Sequence, residues 1–521
     1  MAQSPFSGAD WVVIAGYFGV LALTGGYFAR KGAKDSREYF LGNRKIPVWA
    51  IAVSVIATAI SAATYTGVPA ESYGPGGDLT YLSTNIGALI AIVIVAFSFI
   101  PAFYARKVST VYQILEVDFG PGAKLAASWT FMVGRTVASG ARLYVASRGL
   151  AMILQGSAEQ EGTLVACIAV LALTGIFYTL AGGITSVIWT DVIQTGLFVG
   201  AAVATIAFLL NKIPLSAPQI VEALSTGGPE GTSKLTMFRL GLDPGKPWFG
   251  FDPSQTFTLL TAVTGFTLMN LAAYGTDQDM AQRMLTCDSA IKGGRSAITA
   301  IVVSIPIVFL FAIIGLLLYV YYTPRGGGPS IAGYDPGNPK DVFLSFILRE
   351  MPGGMRGFLA TGLFAAALAS VNSQASTLIN DWYRPRHPHH DEKHYLRMGR
   401  WAVVFWGTVQ GLFAVVCVFW HGKSGETLLQ FALGVMTFAY AGLLGVFLTA
   451  ILTKRGNTAS AIAAIVVGFF AVLVQQPNIW NQLGTGIPTP AFPWRLTSAT
   501  ILATLVCCAG RRRSAPAMMV A

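Results

Sequence analysis

The stretch Ala50–Asp78, AIAVSVIATAISAATYTGVPAESYGPGGD, decides how this chain folds. It opens as an apolar helix and turns small and hydroxylated at Ser61-Ala62-Ala63-Thr64-Tyr65-Thr66. It ends in a Gly/Pro run from Gly67-Val68-Pro69 to Gly74-Pro75-Gly76-Gly77. A helix in lipid must satisfy its own backbone groups, so it breaks at membrane depth only where protein or a water-filled cavity supplies partners. An apolar segment interrupted in this way marks a solute or ion site inside a membrane protein. A second one is Thr264–Arg283, TGFTLMNLAAYGTDQDMAQR, where an apolar helix passes Asn270 and Tyr274, reaches Gly275 and continues as a polar, charged helix.

The rest of the composition agrees with a membrane setting. Of 521 residues, 54% are hydrophobic and 11% charged, where soluble chains carry roughly 25% charged residues. Mean hydropathy is +0.59. The start, MAQSPFSGADWVV, has no basic n-region, so the first apolar span is expected to stay as a membrane helix. Net charge is +11, but most Lys and Arg sit in short connections between apolar spans, where they orient the chain and do not form a nucleic-acid surface. The cysteines show no pairing or metal-ligand spacing, and no Walker sequence or Gly-rich phosphate cradle supports ATP-driven transport. No acid/base or nucleophile constellation falls at membrane depth, so an enzyme is not expected, nor an organic cofactor. The run Arg384–His394, RPRHPHHDEKH, holds four of the five histidines and reads as a solvated linker in preference to a metal site.

A spanning helix needs about 20 mostly apolar residues. On that measure about thirteen are expected, near 11–29, 47–69, 79–104, 124–154, 162–181, 187–210, 255–275, 295–322, 355–382, 398–420, 427–453, 457–475 and 494–510. Basic residues alternate with them. Arg30 to Lys45, Arg106-Lys107, Arg283 to Arg295, Arg384 to Arg397, Lys454-Arg455 and Arg511-Arg512-Arg513 fall on one side, while 70–78, 155–161 and 476–493 hold no Lys or Arg. The positive-inside rule puts the N-terminus outside and the C-terminus in the cytoplasm of a cell (inner) membrane. The expected organisation is 1–46 as an N-terminal helix and basic loop, 47–210 as a first repeat and 211–254 as an outer loop. A second repeat follows at 255–453, then C-terminal helices and a short basic tail at 454–521. Counting five helices on from the first broken span, the second helix, reaches the other, the seventh, and an odd-numbered unit makes two repeats face opposite ways.

Four stretches carry a resemblance. They are Glu38-Tyr39-Phe40-Leu41-Gly42-Asn43-Arg44 leading into SVIATAISAATYTGVP; Tyr178-Thr179-Leu180-Ala181-Gly182-Gly183-Ile184 followed by Val187-Ile188-Trp189-Thr190-Asp191-Val192-Ile193-Gln194; Asn270-Leu271 with Asp277-Gln278 and Gln282-Arg283; and Asn372-Ser373 with Asn380 to Pro385. Over about Asp10 to Thr453 the chain resembles the sodium/solute symporter family of sugar, proline, sialic acid, iodide and monocarboxylate carriers. The resemblance implies an all-α membrane protein of the LeuT type, with two inverted five-helix repeats, broken first helices and sodium-driven inward uptake by alternating access.

It also implies a sodium site made of backbone carbonyls at Ala57 and Ile60 and two adjacent hydroxyls on the ninth helix. Here the chain departs from the family. Counting back from Asn372-Ser373 puts Ala365 and Ala366 at the hydroxyl positions, and anchoring on Arg356-Gly357 puts Ala369 and Ser370 there. Alanine has no side-chain oxygen, so the ion site is weakened. Asp191 is the second cation candidate, because a carboxylate in a membrane helix is costly without a function; its alternatives are an exposed interfacial position or a proton carrier.

For the solute, Arg135 and Arg142 share one face of the fourth helix, and a guanidinium suits a carboxylate. On this reading Arg135→Ala abolishes anion binding and leaves the fold intact. Arg148 reads as a structural pair. Thr58, Ser61 and Thr64 from the first break and Asn270 and Tyr274 from the second complete the expected pocket. Ala59, Ala63 and Ala273 make it poor in the hydrogen-bonding groups a sugar needs. The expected partners are a small-molecule solute and lipid. The alternatives are a proton-coupled or uncoupled carrier of an organic anion, and a transporter-fold sensor, for which the eleven residues after Gly510 leave no signalling domain.

Overall fold

In the computed structural model, residues 6–31, 36–42, 46–156, 158, 160–242, 250–324, 330–367, 371–421, 428–484, 486 and 488–511 are described. Among them the regular structure is all helical, with no β-strand. The main helices are α1 (Gly8–Lys31), α2 (Val48–Ala59), α3 (Ala63–Tyr73), α4 (Thr80–Ala105), α5 (Pro121–Gln155), α6 (Glu161–Phe177) and α7 (Gly183–Lys212). Then come α8 (Leu259–Gly275), α9 (Gln278–Met284), α10 (Ala290–Tyr322) and α11 (Met355–Ala367). The last are α12 (Asn372–Thr377, continuing in a wide turn over Leu378–Tyr383), α13 (Glu392–His421), α14 (Leu428–Leu452), α15 (Thr458–Val474) and α16 (Phe492–Cys508).

Both expected interruptions are present. α2 and α3 meet at 63°, but the break falls at Ile60, whose backbone is extended (φ −82°, ψ 134°), and not in the Gly/Pro run. Gly67 and Pro69 lie within α3. Gly67 serves close packing, since a Cβ there would stand 3.0 Å from the Leu429 Cβ. The second break follows Gly275, with Asp277 extended (φ −86°, ψ 118°) at the N-terminus of α9.

By length and composition six helices can cross a membrane, or eight if each bent pair counts as one span. The thirteen expected spans include shorter apolar helices, α6, α8 and α16. They also include α5, a single unbroken helix of 35 residues that carries Lys124, Arg135, Arg142 and Arg148. α6 and α7 are divided at Gly183 (φ 60°, ψ −160°), where a Cβ would lie 2.5 Å from the Tyr39 carbonyl oxygen. Only glycine fits both that backbone and that approach.

α2 packs on α7 and α10, α8 on α4, and α5 on α13 and α14. Tyr65 of α3 is fully buried; its hydroxyl donates to the Leu359 carbonyl of α11 (2.8 Å), and its ring lies within 5.1 to 5.6 Å of Phe343, Phe311 and Phe198. This aromatic contact fixes the post-break half of the first broken helix against α7, α10 and α11, each ring pair adding about 0.5–1.5 kcal/mol.

Candidate functional site

The two breaks face a shared cavity with about 900 Å³ of empty volume, part of it open to solvent. Its wall runs from Tyr81, Thr84 and Asn85 at the start of α4 to Arg135 and Tyr440. Of the expected solute residues, Thr64, Arg135, Arg142, Asn270 and Tyr274 line it, as do Ala59 and Ala273; Thr58 and Ser61 sit at the break and do not. Thr58 Oγ1 donates back to the Ser54 carbonyl (2.9 Å), and Ser61 Oγ accepts from the Ala63 amide (3.3 Å). Asn270 Nδ2 is engaged by the Phe266 carbonyl (2.8 Å), which leaves its amide oxygen toward the cavity.

The two arginines have different surroundings. Arg135 is buried and ion-paired to Asp279, with Asp277 Oδ2 at 3.6 Å from its Nη1. Arg142 makes no ion pair among the described residues: Nη1 donates to the Thr58 carbonyl (2.9 Å) and Nη2 lies 3.9 Å from the Met436 sulfur. The break explains the first of these contacts. A helix C-terminus carries carbonyls without intrahelical donors and a partial negative charge, and Arg142 caps that of α2. Arg148 pairs with Asp341 at 3.0 Å.

Asp191 is buried, not exposed at an interface. It accepts from Ser54 Oγ and faces Arg283 Nη2 at 3.4 Å. Arg283 also donates to Ser54 Oγ (3.0 Å) and Asp279 Oδ1 (2.8 Å), and the Tyr440 hydroxyl donates to Asp277 Oδ2 (2.8 Å). Three carboxylates and two guanidiniums thus bind α2, α5, α7, α9 and α14 into one buried network. From the sequence, Asp277 stood only in a resemblance, Asp279 was missed, and Arg283 was also counted among the basic loop residues, which its burial in this network corrects. Residues 277, 279 and 283 join across one helix turn to partners roughly 90 to 230 positions away, which no local pattern shows.

The expected cation positions Ala57, Ile60 and Ala365 do come together, around a small cavity of about 240 Å³ of empty volume. Ile56, Gln194, Thr195 and Phe198 complete its lining. Asp191 is outside that lining, Ala366 lies in α11 next to Ala365, and Ala369 and Ser370 fall outside the described residues. Gln194 and Thr195 went unassigned in the sequence, although Gln194 stands one turn after Asp191 on the same helix.

In the His-rich run, Tyr383 and His394 share a hydrogen bond (2.8 Å) and His390 stacks on His394 with centroids 3.9 Å apart. No group of three or more His, Cys, Asp or Glu among the described residues is arranged to hold a metal.

Broken helices around a polar cavity, in a chain of helices apolar enough to span a bilayer, define a secondary transporter and not an enzyme. The sodium:solute symporter family profile matches residues 39–468, and the chain belongs to that family. It is 30% identical to the sodium/sialic acid symporter SiaT of Proteus mirabilis, over 91% of this chain and 90% of that protein. It is 27% identical to mouse sodium-coupled monocarboxylate transporter 1, over 92% of this chain and 74% of that one. The human sodium/iodide cotransporter matches at 26%, over 89% and 67%. A solved structure of a Na+-coupled sialic acid symporter, substrate-bound and outward-open, superposes with a TM-score of 0.78 at 26% identity, covering 97% of this chain and 98% of that one. The fold is therefore that of a multi-pass symporter.

Proposed function

We propose that this protein carries a small organic anion into the cell, driven by sodium, by alternating access around the two breaks. The observation that carries the anion assignment is Arg142, a guanidinium on the cavity wall with no carboxylate partner among the described residues. A fixed planar cation of this kind binds a carboxylate in two parallel hydrogen bonds. The relatives named above act on sialic acid, monocarboxylates and iodide, all anions, which supports the same charge for this cargo. Six hydroxyls (Thr64, Tyr81, Thr84, Tyr274, Ser304 and Tyr440) and two amides (Asn85 and Asn270) also line the wall, which corrects the expectation of a wall poor in such groups and lets the anion carry further polar substituents.

The inward direction rests on about thirteen crossings, two inverted five-helix repeats at 47–210 and 255–453, and a basic side taken as cytoplasmic. The cavity of Ala57 and Ile60 is the proposed sodium position. Asp191, held by Arg283 and Ser54, is a poor free proton carrier, which weighs against proton coupling. The test is uptake into proteoliposomes of labelled lactate, sialic acid and iodide under inward sodium or potassium gradients. Uptake of an anion with sodium alone is expected; equal uptake in potassium overturns the sodium assignment. Transport of neutral sugars in preference to anions overturns the cargo.

A further inference from the structure

We propose that α7 supplies side-chain ligands to the coupling cation in this chain, through Gln194 with Thr195. This rests on the sodium reading above and assigns the atoms that would hold the ion. The break in α2 makes the seat. Ser61, which a continued helix would use to donate to the Ala57 carbonyl, instead turns its amide toward Thr64 Oγ1 (3.5 Å), and the Ile60 carbonyl follows an extended backbone. Two carbonyl oxygens are thereby released at the wall of the small cavity that Gln194, Thr195 and Ala365 also line.

Among the described residues, the α11 side brings the Ala365 methyl group to this cavity, and a methyl cannot ligate. Across from it, Gln194 is 3% exposed and its Nε2 has no hydrogen-bond partner. The Tyr17 hydroxyl comes near Gln194 without forming a well-aligned hydrogen bond. An unpartnered amide in so buried a place costs about 1–3 kcal/mol. Half a turn about its last torsion exchanges nitrogen for oxygen, so the amide of this cavity-lining residue can set its acceptor on either side. Thr195 Oγ1 already donates to the Asp191 carbonyl (2.8 Å), so its lone pairs remain for a cation.

The donor set is then two carbonyls, an amide oxygen and a hydroxyl, all neutral. The nearest carboxylate on α7, Asp191, is neutralised by Arg283 and does not line the cavity. Neutral oxygens suit a small monovalent cation; divalent ions are held by carboxylates.

The test is thermal unfolding of the purified full chain in detergent, titrated with NaCl against choline chloride at constant ionic strength, with LiCl and KCl as further arms. The wild type is expected to show saturable stabilisation by sodium. Gln194→Leu is expected to raise the half-saturating sodium concentration at least tenfold, and Ala365→Ser on that background to recover it by returning a hydroxyl from the α11 side. Unchanged half-saturation in a folded Gln194→Leu protein overturns the proposal while leaving the sodium reading intact. If that variant does not fold, Gln194→Glu keeps an oxygen ligand and adds charge; tighter sodium binding supports the proposal, and unchanged binding overturns it. If sodium affects neither the stability nor the uptake of the wild type, the sodium reading itself fails.

Discussion

At the scale of single residues, Arg135 and Arg142 look equivalent on a helical wheel and line the same cavity, yet their partners are opposite in kind. Arg135 holds Asp277 and Asp279 in a buried network. Removing one partner of a buried ion pair leaves the others uncompensated and costs about 3–5 kcal/mol. Arg135→Ala is therefore expected to lower the thermal midpoint sharply, a fold defect in place of the pure binding defect that helix position alone suggests. Arg142 has a carbonyl and a sulfur as neighbours, so Arg142→Ala should keep a midpoint near that of the wild type. It should raise the KM for the anion about tenfold to hundredfold, as loss of a charge-assisted hydrogen bond of about 1.5–3 kcal/mol implies. Arg142→Lys should recover only part of this, because an ammonium cannot make the planar double contact. Equal loss of stability in the two alanine variants would sink this division of roles.

At the scale of elements, the joints are where substitutions should act. Gly183→Ala forces a side chain into a left-handed backbone and onto the Tyr39 carbonyl. The strain alone is about 1–3 kcal/mol, so a clearly lower thermal midpoint is expected. A second joint is made by Lys234 in the loop before α8. Its Nζ donates to the carbonyls of Gly77 (2.6 Å), Gly74 (3.1 Å) and Tyr73 (3.4 Å) and lies 4.4 Å from the Tyr319 ring centroid. It fastens the loop to the turn after α3. Burial pushes this ammonium down from 10.5 to about 8, with Asp78 opposing the shift. Between those two values the unfolded chain keeps a proton that the folded one has lost, so stability should rise with pH across that window and be flat below it. A pH series of thermal midpoints should show this slope in the wild type and lose it in Lys234→Met.

At the scale of the whole molecule, alternating access requires the wall of the main cavity to change its exposure. Asn85, near the start of α4, lines that cavity. Asn85→Cys, on a Cys508→Ser background because Cys508 is the one partly exposed cysteine, should react with a membrane-impermeant maleimide from one face. A transported anion should slow the labelling, and more so with sodium present. Labelling that ignores both solute and sodium would count against a cavity shared by the transport cycle.

Apolar length, the alternation of charged loops and two interrupted spans were enough to establish a helical membrane transporter, because lipid permits few backbone solutions and each leaves a compositional trace. Thr64, Asn270 and Tyr274 on the cavity wall followed from the two interruptions, whereas the family, and Ala57, Ile60 and Ala365 in one of two registers, came from the motif resemblance. The exact hinge of the first break was not legible: the chain opens at Ile60, between the expected Thr58 and Ser61, while Gly67, packed against Leu429, and Pro69 lie within helix. Nor was the separation of Arg135 from Arg142, or the burial of Asp191 against Arg283. Those depend on which charge lies beside which after helices distant in sequence have packed. Electrostatic pairing acts over a few ångströms, and only the tertiary fold decides which residues come that close.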